Sequence, residues 1–314
     1  AVFVLGSAVA AGADTILELI AGRVLQGAGA ISSTLTALLA DSTREHIRLR
    51  ATAVLGISIG AGFLLALVGG PLLASIMSVR AMFVVSAGCG LLAIALTLWL
   101  PRSAGAPARR HAAEARTGPG VVAAGLLRLD AAVLLLHLTL TALFVLLPFV
   151  LRDTAGLAPA RHWLFHAGAI VLSLAVTLPL LLRSERAAPG RLPAVAMLLC
   201  AAGCLLMAAA PGSLPLLFAG ALTYFAGFNY LEAGLPAWVS LAAPAARRGA
   251  AMGVFASAQF LGAFLGGVLA GALLQTLGDP ADGFVALALP GLLGCAALLR
   301  DPADRGGRSD ANSR

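Results

Sequence analysis

The sequence predicts an all-α membrane protein with about ten membrane-spanning helices. Of its 314 residues, 60% are hydrophobic and only 11% are charged, whereas soluble domains carry roughly 25% charged residues. The apolar residues form long continuous runs, and a helix needs about 20 of them to cross a hydrocarbon core roughly 30 Å thick. Transmembrane strands would be shorter and would alternate apolar and polar positions. The composition therefore excludes a water-soluble fold, and the length of the runs favours helices.

Ten apolar segments follow one another along the chain, and each can form one span. The first, AVFVLGSAVAAGA, begins inside an apolar run without a basic leader, which is a poor match to a signal peptide. We expect it to be a span cut at its start, with the N-terminus of the natural protein missing. The ten segments cover residues 1–12, 15–40, 51–77, 81–101, 126–151, 161–183, 191–210, 213–242, 249–278 and 282–300.

The distribution of arginine predicts the orientation of these spans. All 21 basic residues are arginine, and 17 of them lie in or beside alternate loops and in the C-terminal tail. The opposite loops hold only Arg80, Arg152 and Arg161, and Arg23 lies inside a span. Because short basic loops remain on the cytoplasmic side, we expect a cytoplasmic C-terminus.

The longest internal connection divides the spans into two groups. It contains RSAGAPARRHAAEARTGPG, lies within residues 102–125, and separates four spans from six. A shift of 197 positions superposes Gly69 on Gly266 and Gly70 on Gly267, and parallel internal repeats of this kind occur in transporters. The sequence therefore predicts helical halves over residues 1–101 and 126–301, joined by a cytoplasmic loop and followed by a tail over 302–314.

Five segments carry a family resemblance. They are GRVLQGAGAISS (22–33), ALLADSTREHIRLRATAVLGISIG (37–60), HLTLTALFVLLP (137–148), FNYLEAGLPAW (228–238) and RRGAAMGVFASAQFLGAFLGG (247–267). With them the chain resembles the major facilitator superfamily, its drug–proton antiporter branch and, within that branch, the YajR-type transporters. The resemblance runs from the third to the twelfth family helix. It implies the major facilitator fold with ten of twelve helices, without the first two helices and the cytoplasmic latch loop between them.

Arg23 is the first candidate functional residue, because an arginine inside an apolar span is costly. Gln26 lies about one turn away and can hydrogen-bond on the same helix face. The resemblance implies a role for Arg23 in proton coupling, since a fixed positive charge favours the ionised form of a nearby carboxyl group. The alternatives are that Arg23 reaches the outer headgroups or pairs with Glu18.

Glu232 is the second candidate, because it lies near the middle of its span, about 11 residues from the cytoplasmic end. Hydrocarbon favours the neutral form of a carboxyl group, so Glu232 can bind a proton there. Asn229 and Tyr224 share the span and could bind substrate or steady the carboxyl group. A permanently neutral Glu232 that hydrogen-bonds between helices is the alternative.

His137 and Gln259 are further polar residues inside apolar spans. A membrane histidine can carry protons or serve only as a structural hydrogen-bonding group, and the sequence leaves both open for His137. Gln259 can line a cavity or bond to a neighbouring helix, and these alternatives also stay open.

A third set of residues is expected to act in conformational change. The resemblance implies that Asp41, which with Arg50 brackets a charged turn, pairs with the latch loop. Gly69, Gly70 and Pro71 should bend or tightly pack the fifth family helix. The family's antiporter signature ends Gly-Pro-x-x-Gly-Gly, whereas here Pro71 is followed by Leu-Leu-Ala-Ser.

These observations predict a proton-coupled transporter that works by alternating access and exports small amphipathic or drug-like molecules from the inner membrane. No enzyme motif, cofactor, metal site or nucleic-acid partner is expected. The expected partners are a small-molecule substrate, protons and the lipid bilayer; the sequence leaves the oligomeric state open, with a monomer expected. A proton-coupled importer and a non-transporting sensor or scaffold are the alternatives. The chain without the two preceding helices is not expected to transport.

Overall fold

The computed structural model describes residues 1–28, 76–99, 124–184, 191–244 and 247–299, together with positions 43, 54, 58, 61–62, 65–66, 69–70 and 73. The chain forms two compact units, Ala1–Ala112 and Ala113–Arg314. Their boundary falls within the predicted loop at 102–125. The assignment of the units to halves of the family fold stays a prediction.

In the first unit, helix α1 (Val2–Gly12) packs against α2 (Ile16–Ala28) and α3 (Val79–Trp99). Gly6 and Gly22 face each other between α1 and α2. A Cβ atom on Gly6 would lie 2.6 Å from the Gly22 carbonyl oxygen. Only glycine therefore allows this approach, which is a common way for membrane helices to pack.

In the second unit, α4 (Ala124–Phe149) ends in a single π turn, Val150–Thr154. The remaining helices are α5 (His162–Ser184), α6 (Leu192–Ala209), α7 (Leu214–Ala242), α8 (Arg248–Thr276) and α9 (Gly283–Leu299). Short 3-10 turns at Pro159–Arg161 and Pro280–Asp282 precede α5 and α9. Helix α4 packs against α7, α8 and α9, while α7 also packs against α5 and α6.

Seven helical stretches among the described residues are long and apolar enough to span a membrane. Helix α1 is a shorter apolar helix of 11 residues. The predicted segments 15–40 and 51–77 lie partly outside the described residues. The described segments are helical at the predicted places, and the all-α membrane fold is confirmed. The spans are Val79–Trp99, Gly125–Thr154, Pro159–Pro179, Leu192–Ala209, Leu214–Ala242, Arg248–Thr276 and Pro280–Leu299.

Two glycines bring α4 and α8 into backbone contact. A Cβ atom on Gly262 would overlap the carbonyl oxygen of Leu134, and one on Gly266 would overlap that of Leu138. Because both pairs advance by four residues in the same direction, α4 and α8 run parallel. This close packing holds the polar residues of α8 against α4.

Pro236 lies inside α7, one turn after Glu232. Proline has no backbone N–H, so the Glu232 carbonyl oxygen lacks its usual partner within the helix. Gly234, between them, accommodates the Trp238 ring, which lies 2.5 Å from where a Cβ atom would be. The helix therefore continues without one backbone hydrogen bond next to its one acidic side chain.

Candidate functional site

Three polar side chains from three different helices meet inside the second unit. Gln259 Nε2 on α8 lies 2.9 Å from His137 Nε2 on α4 and 3.3 Å from Glu232 Oε1 on α7. Glu232 Oε2 lies 3.5 Å from His137 Nε2. These residues, which we call the polar cluster, are far apart in the sequence. The structure brings together three of the residues that the sequence singles out.

The hydrogen bonds of His137 indicate its protonation state. Its Nδ1 atom lies 3.1 Å from the carbonyl oxygen of Val133, and a carbonyl only accepts, so Nδ1 carries the hydrogen. In the neutral ring Nε2 is then an acceptor. The Gln259 amide has two N–H groups and donates one to His137 and one to Glu232. The described arrangement fits a neutral imidazole.

The cluster lies at the edge of the buried interior of its unit. The His137 side chain is 10% exposed and that of Glu232 is 40% exposed. The Phe228 ring approaches His137 edge-on, with centroids 5.9 Å apart, and stacks on Tyr224. The Glu232 carboxylate is therefore partly exposed while its Oε2 atom remains 3.5 Å from His137 Nε2.

The cluster can bind one proton between two heavy atoms. A proton added at Glu232 Oε2 can be donated to His137 Nε2, and a proton at Nε2 can be donated to Oε2. Either way the pair changes from one net negative charge to neutral.

Asn229 and Tyr224 lie on the same helix as Glu232 but make different contacts. Asn229 Nδ2 donates to Ser173 Oγ on α5 at 2.8 Å. Tyr224 is fully buried, and in the described part of the chain its hydroxyl oxygen has no hydrogen-bond partner. Asn229 thus connects α7 to α5. Sequence reasoning missed Ser173, although small polar residues commonly join membrane helices.

In the first unit, Arg23 belongs to a separate series of hydrogen-bonded side chains. Arg23 Nη1 donates to Gln26 Oε1 at 2.7 Å, and Gln26 Nε2 donates to Ser7 Oγ on α1, also at 2.7 Å. Glu18 accepts instead from the backbone N–H groups of Asp14 and Thr15 at the start of α2. The carboxylate expected as an alternative partner of Arg23 is therefore used as a helix cap.

Three of the residues expected to act in conformational change, Asp41, Arg50 and Pro71, lie outside the described residues. Gly69 and Gly70 are helical and half-buried. Among described residues, no atom lies within 4 Å of a Cβ built on either glycine. Their role stays a prediction.

A comparison of the sequence with models of known protein families also identifies a family of membrane transporters. The model of the Major Facilitator Superfamily matches residues 1–230. The chain belongs to this superfamily. This chain is 35% identical to the inner membrane transport protein YajR of Escherichia coli. The match covers 86% of this chain and 60% of YajR. It is 27% identical to the uncharacterized transporter BU466 of Buchnera aphidicola over 84% of its own length and 69% of the relative.

Solved structures show the same fold. The human organic anion transporter MFSD10 (TETRAN) superposes with a TM-score of 0.66 at 23% identity, covering 94% of this major facilitator chain and 74% of the other. A bacterial homologue of the human lysosomal transporter Spinster, in an inward-facing and occupied conformation, superposes with a TM-score of 0.59 at 16% identity. This match covers 95% of this chain and 77% of the homologue. The chain is thus a multi-pass membrane protein of a transporter family and not an enzyme. It spans 60% of the length of YajR.

Proposed function

We propose that this protein is a proton-coupled secondary transporter that works by alternating access and exports small amphipathic or drug-like molecules. The observation that carries the proposal is the polar cluster, with Glu232 Oε2 3.5 Å from His137 Nε2. Ionisable residues inside membrane spans are costly and commonly mark ion or substrate pathways. The resemblance to YajR, named as an inner membrane transport protein, supports transport and the same location.

Protonation changes the hydrogen bonds that join the helices. In the deprotonated cluster, His137 Nε2 accepts from Gln259. When Glu232 carries a proton and donates it to His137, Nε2 has no lone pair left for Gln259. The hydrogen bond between His137 on α4 and Gln259 on α8 is then lost, while a hydrogen bond between Glu232 and His137 joins α4 to α7. A proton thus favours one helix arrangement over another, which is what proton coupling requires.

Substrate binding uses the same carboxylate. A positively charged group near the Glu232 carboxylate competes with the proton, because either removes the net negative charge from the site. The Phe228 ring, which lies edge-on beside His137, offers apolar contact to the remainder of an amphipathic molecule. Competition for one site would make proton binding and substrate binding alternate.

Arg23 is proposed to assist from the first helical half. Its guanidinium is positioned by Gln26, which is in turn held by Ser7. A fixed positive charge favours proton release from a neighbouring carboxyl group. The proposed topology places the loop within 102–125 and the C-terminal tail in the cytoplasm, with the latch residues Asp41 and Arg50 on that side.

The test compares variants of the full-length protein in membrane vesicles over a range of external pH. Glu232→Gln fixes the cluster in a state that resembles its protonated form, so we expect its transport to lose its pH dependence and to slow by about tenfold or more. Insertion and expression should remain near normal, because glutamine has nearly the same size as glutamate and places no charge inside the span. Asp153→Asn is the matched control, since this exposed carboxylate accepts from the Nε–H of its neighbour Arg152 at 2.6 Å and lies outside the polar cluster.

Arg23→Ala is measured in the same assay and should weaken the coupling to protons. Parent-like rates and pH profiles in both Glu232→Gln and Arg23→Ala would refute the mechanism. Accumulation of a fluorescent amphipathic cation in everted vesicles supports export, whereas accumulation in right-side-out vesicles indicates import. A sensor or scaffold would show neither.

A further inference from the structure

Helix α4 carries a second buried ionisable residue, Asp130, which the sequence analysis does not single out. Asp130 is 7% exposed. Its Oδ1 atom is buried and has no hydrogen-bond partner among the described residues. A carboxyl oxygen left unpaired away from water is costly. A bound proton or a water molecule at Asp130 would lower this cost.

Asp130 and His137 lie on the same face of α4. They are seven residues apart, which is two helical turns and about 10.5 Å along the axis. Leu126 and Val133 complete a buried stripe at helical spacing with them. Asp130 therefore lies below the polar cluster, towards the N-terminal end of α4, which the arginine distribution places in the cytoplasm.

The described charged groups around α4 leave Asp130 without an ion pair. Arg128, on the same helix, is half-buried. Arg248, at the start of α8, donates its Nε–H to the Ser240 carbonyl oxygen. The other titratable or charged side chains on α4, its π turn and the helices and turns packed against them include His137, Arg152, Asp153, Glu232, Tyr224, Tyr230, Arg247, Asp279, Asp282 and Cys295. Helix α5 also contacts α4, where the His166 ring stacks on Phe144 with centroids 5.3 Å apart, and it adds His162 and His166 to this set.

We infer that Asp130 is a second proton-binding site, on the path between the cytoplasmic end of α4 and the polar cluster. The inference rests on the proposed proton-coupled function. A proton leaving Glu232 or His137 breaks one O–H or N–H bond and forms one O–H bond on Asp130. Asp130 then releases the proton to cytoplasmic water, and no electron transfer is involved.

Water must bridge the two turns between Asp130 and the cluster. Pro236 leaves the Glu232 carbonyl oxygen without its helical N–H partner, so this oxygen can accept from a water molecule. The free oxygen of Asp130 supplies an acceptor at the other end of the gap. Each end of the path therefore has an oxygen atom that can accept a hydrogen bond from water.

The experiment is infrared difference spectroscopy of the full-length protein in lipid, titrated around neutral pH. Exposed carboxylates are ionised there, so bands of protonated carboxyl groups report the buried ones. We expect Asp130→Asn to remove one such band, and this band to persist in Glu232→Gln. Proton uptake from the cytoplasmic face after a pH jump, followed with a soluble indicator dye, should slow by about tenfold or more in Asp130→Asn and recover in Asp130→Glu.

Asp153→Asn makes the same chemical change at an exposed position of the same span and should alter neither measurement. An unchanged spectrum in Asp130→Asn, or an unchanged rate of proton uptake, overturns the inference. Should this variant fail to fold, uniform ¹³C-labelling of aspartate in the unaltered protein provides the test. A shift of a carboxyl band at neutral pH supports a protonated aspartate, and the absence of any shift overturns the inference.

The two proposals fail in different ways. If Glu232→Gln loses its band while Asp130→Asn keeps the parent spectrum, the function stands and the second site does not. If Glu232→Gln keeps the parent spectrum and pH profile, the proposed coupling site is refuted, whatever the spectrum of Asp130→Asn shows.

Discussion

At the scale of single residues, Gln259 determines how the polar cluster responds to a proton. It is the only one of the three that does not titrate, and it donates to both of the others. Its bond to Glu232 stabilises the carboxylate, whereas its bond to His137 requires an unprotonated Nε2. Both bonds therefore favour the deprotonated cluster.

Replacing Gln259 by methionine keeps a similar volume and removes both donors. The cluster should then hold its proton more tightly, so that release requires a higher pH. Because a hydrogen bond to a charged group contributes about 1.5 to 3 kcal/mol and one pH unit corresponds to about 1.4 kcal/mol, we expect the pH of half-maximal transport to rise by about one unit. Vesicle transport measured against pH provides the test.

Ser257→Ala is the control for this substitution, because the exposed Ser257 hydroxyl donates within its own helix, to the Gly253 carbonyl oxygen at 3.0 Å. It should leave the pH profile unchanged. A downward shift, or no shift, for Gln259→Met would contradict the assignment of Gln259 as a donor to the carboxylate.

At the scale of helices, the polar cluster depends on how closely α4 and α8 approach. Gly262 lies one turn from Gln259 and rests against the Leu134 carbonyl oxygen, and Gly266 repeats the contact at Leu138. In lipid, helix association relies on such packing rather than on hydrophobic burial. The glycines thus set the distance that Gln259 must span.

Gly262→Ala should therefore force the two helices apart. Overpacking of this kind destabilises proteins by about 1 to 3 kcal/mol, and we expect a lower melting temperature in lipid or detergent together with weaker pH dependence of transport. Gly271→Ala is the matched control, because none of the described atoms lies within 4 Å of its Cβ position. Its melting temperature should stay the same or rise, since alanine favours a helix over glycine. Equal melting temperatures for the two variants would show that the close contact contributes nothing.

At the scale of the whole molecule, the direction of proton movement depends on which ends of the helices face the cytoplasm. In the second unit, the π turn after α4 and the residue before α6 lie at opposite ends of the spans. Most arginines belong to the end that includes Arg191. The bias of basic residues towards the cytoplasm predicts that Asp153 is outside and Arg191 inside.

Single cysteines at these two exposed positions test the orientation after the four native cysteines are replaced by serine. A membrane-impermeant maleimide should label Asp153→Cys in right-side-out vesicles and Arg191→Cys only in everted ones. Proton uptake through Asp130 from the cytoplasm requires this pattern. The reverse pattern would place Asp130 on the outer side of the polar cluster.

The sequence by itself determines the membrane class and the candidate residues. Continuous apolar runs of span length leave helices as the favoured way to satisfy the backbone in lipid. Polar residues inside those runs, such as His137, Glu232 and Gln259, stand out because each is costly there. The predicted roles of Arg23 and of the latch residues come from the family resemblance and stay predictions.

The tertiary structure alone decides which of these residues meet. Helical periodicity fixes the residues that share a face, but it does not fix which neighbouring helix that face contacts. His137 and Gln259 meet although they are 122 positions apart, whereas Asn229, three residues from Glu232, bonds to Ser173 on another helix. In a membrane every outer face is apolar, so close glycine contacts and specific hydrogen bonds select the partners, and these depend on the packed arrangement of all the helices.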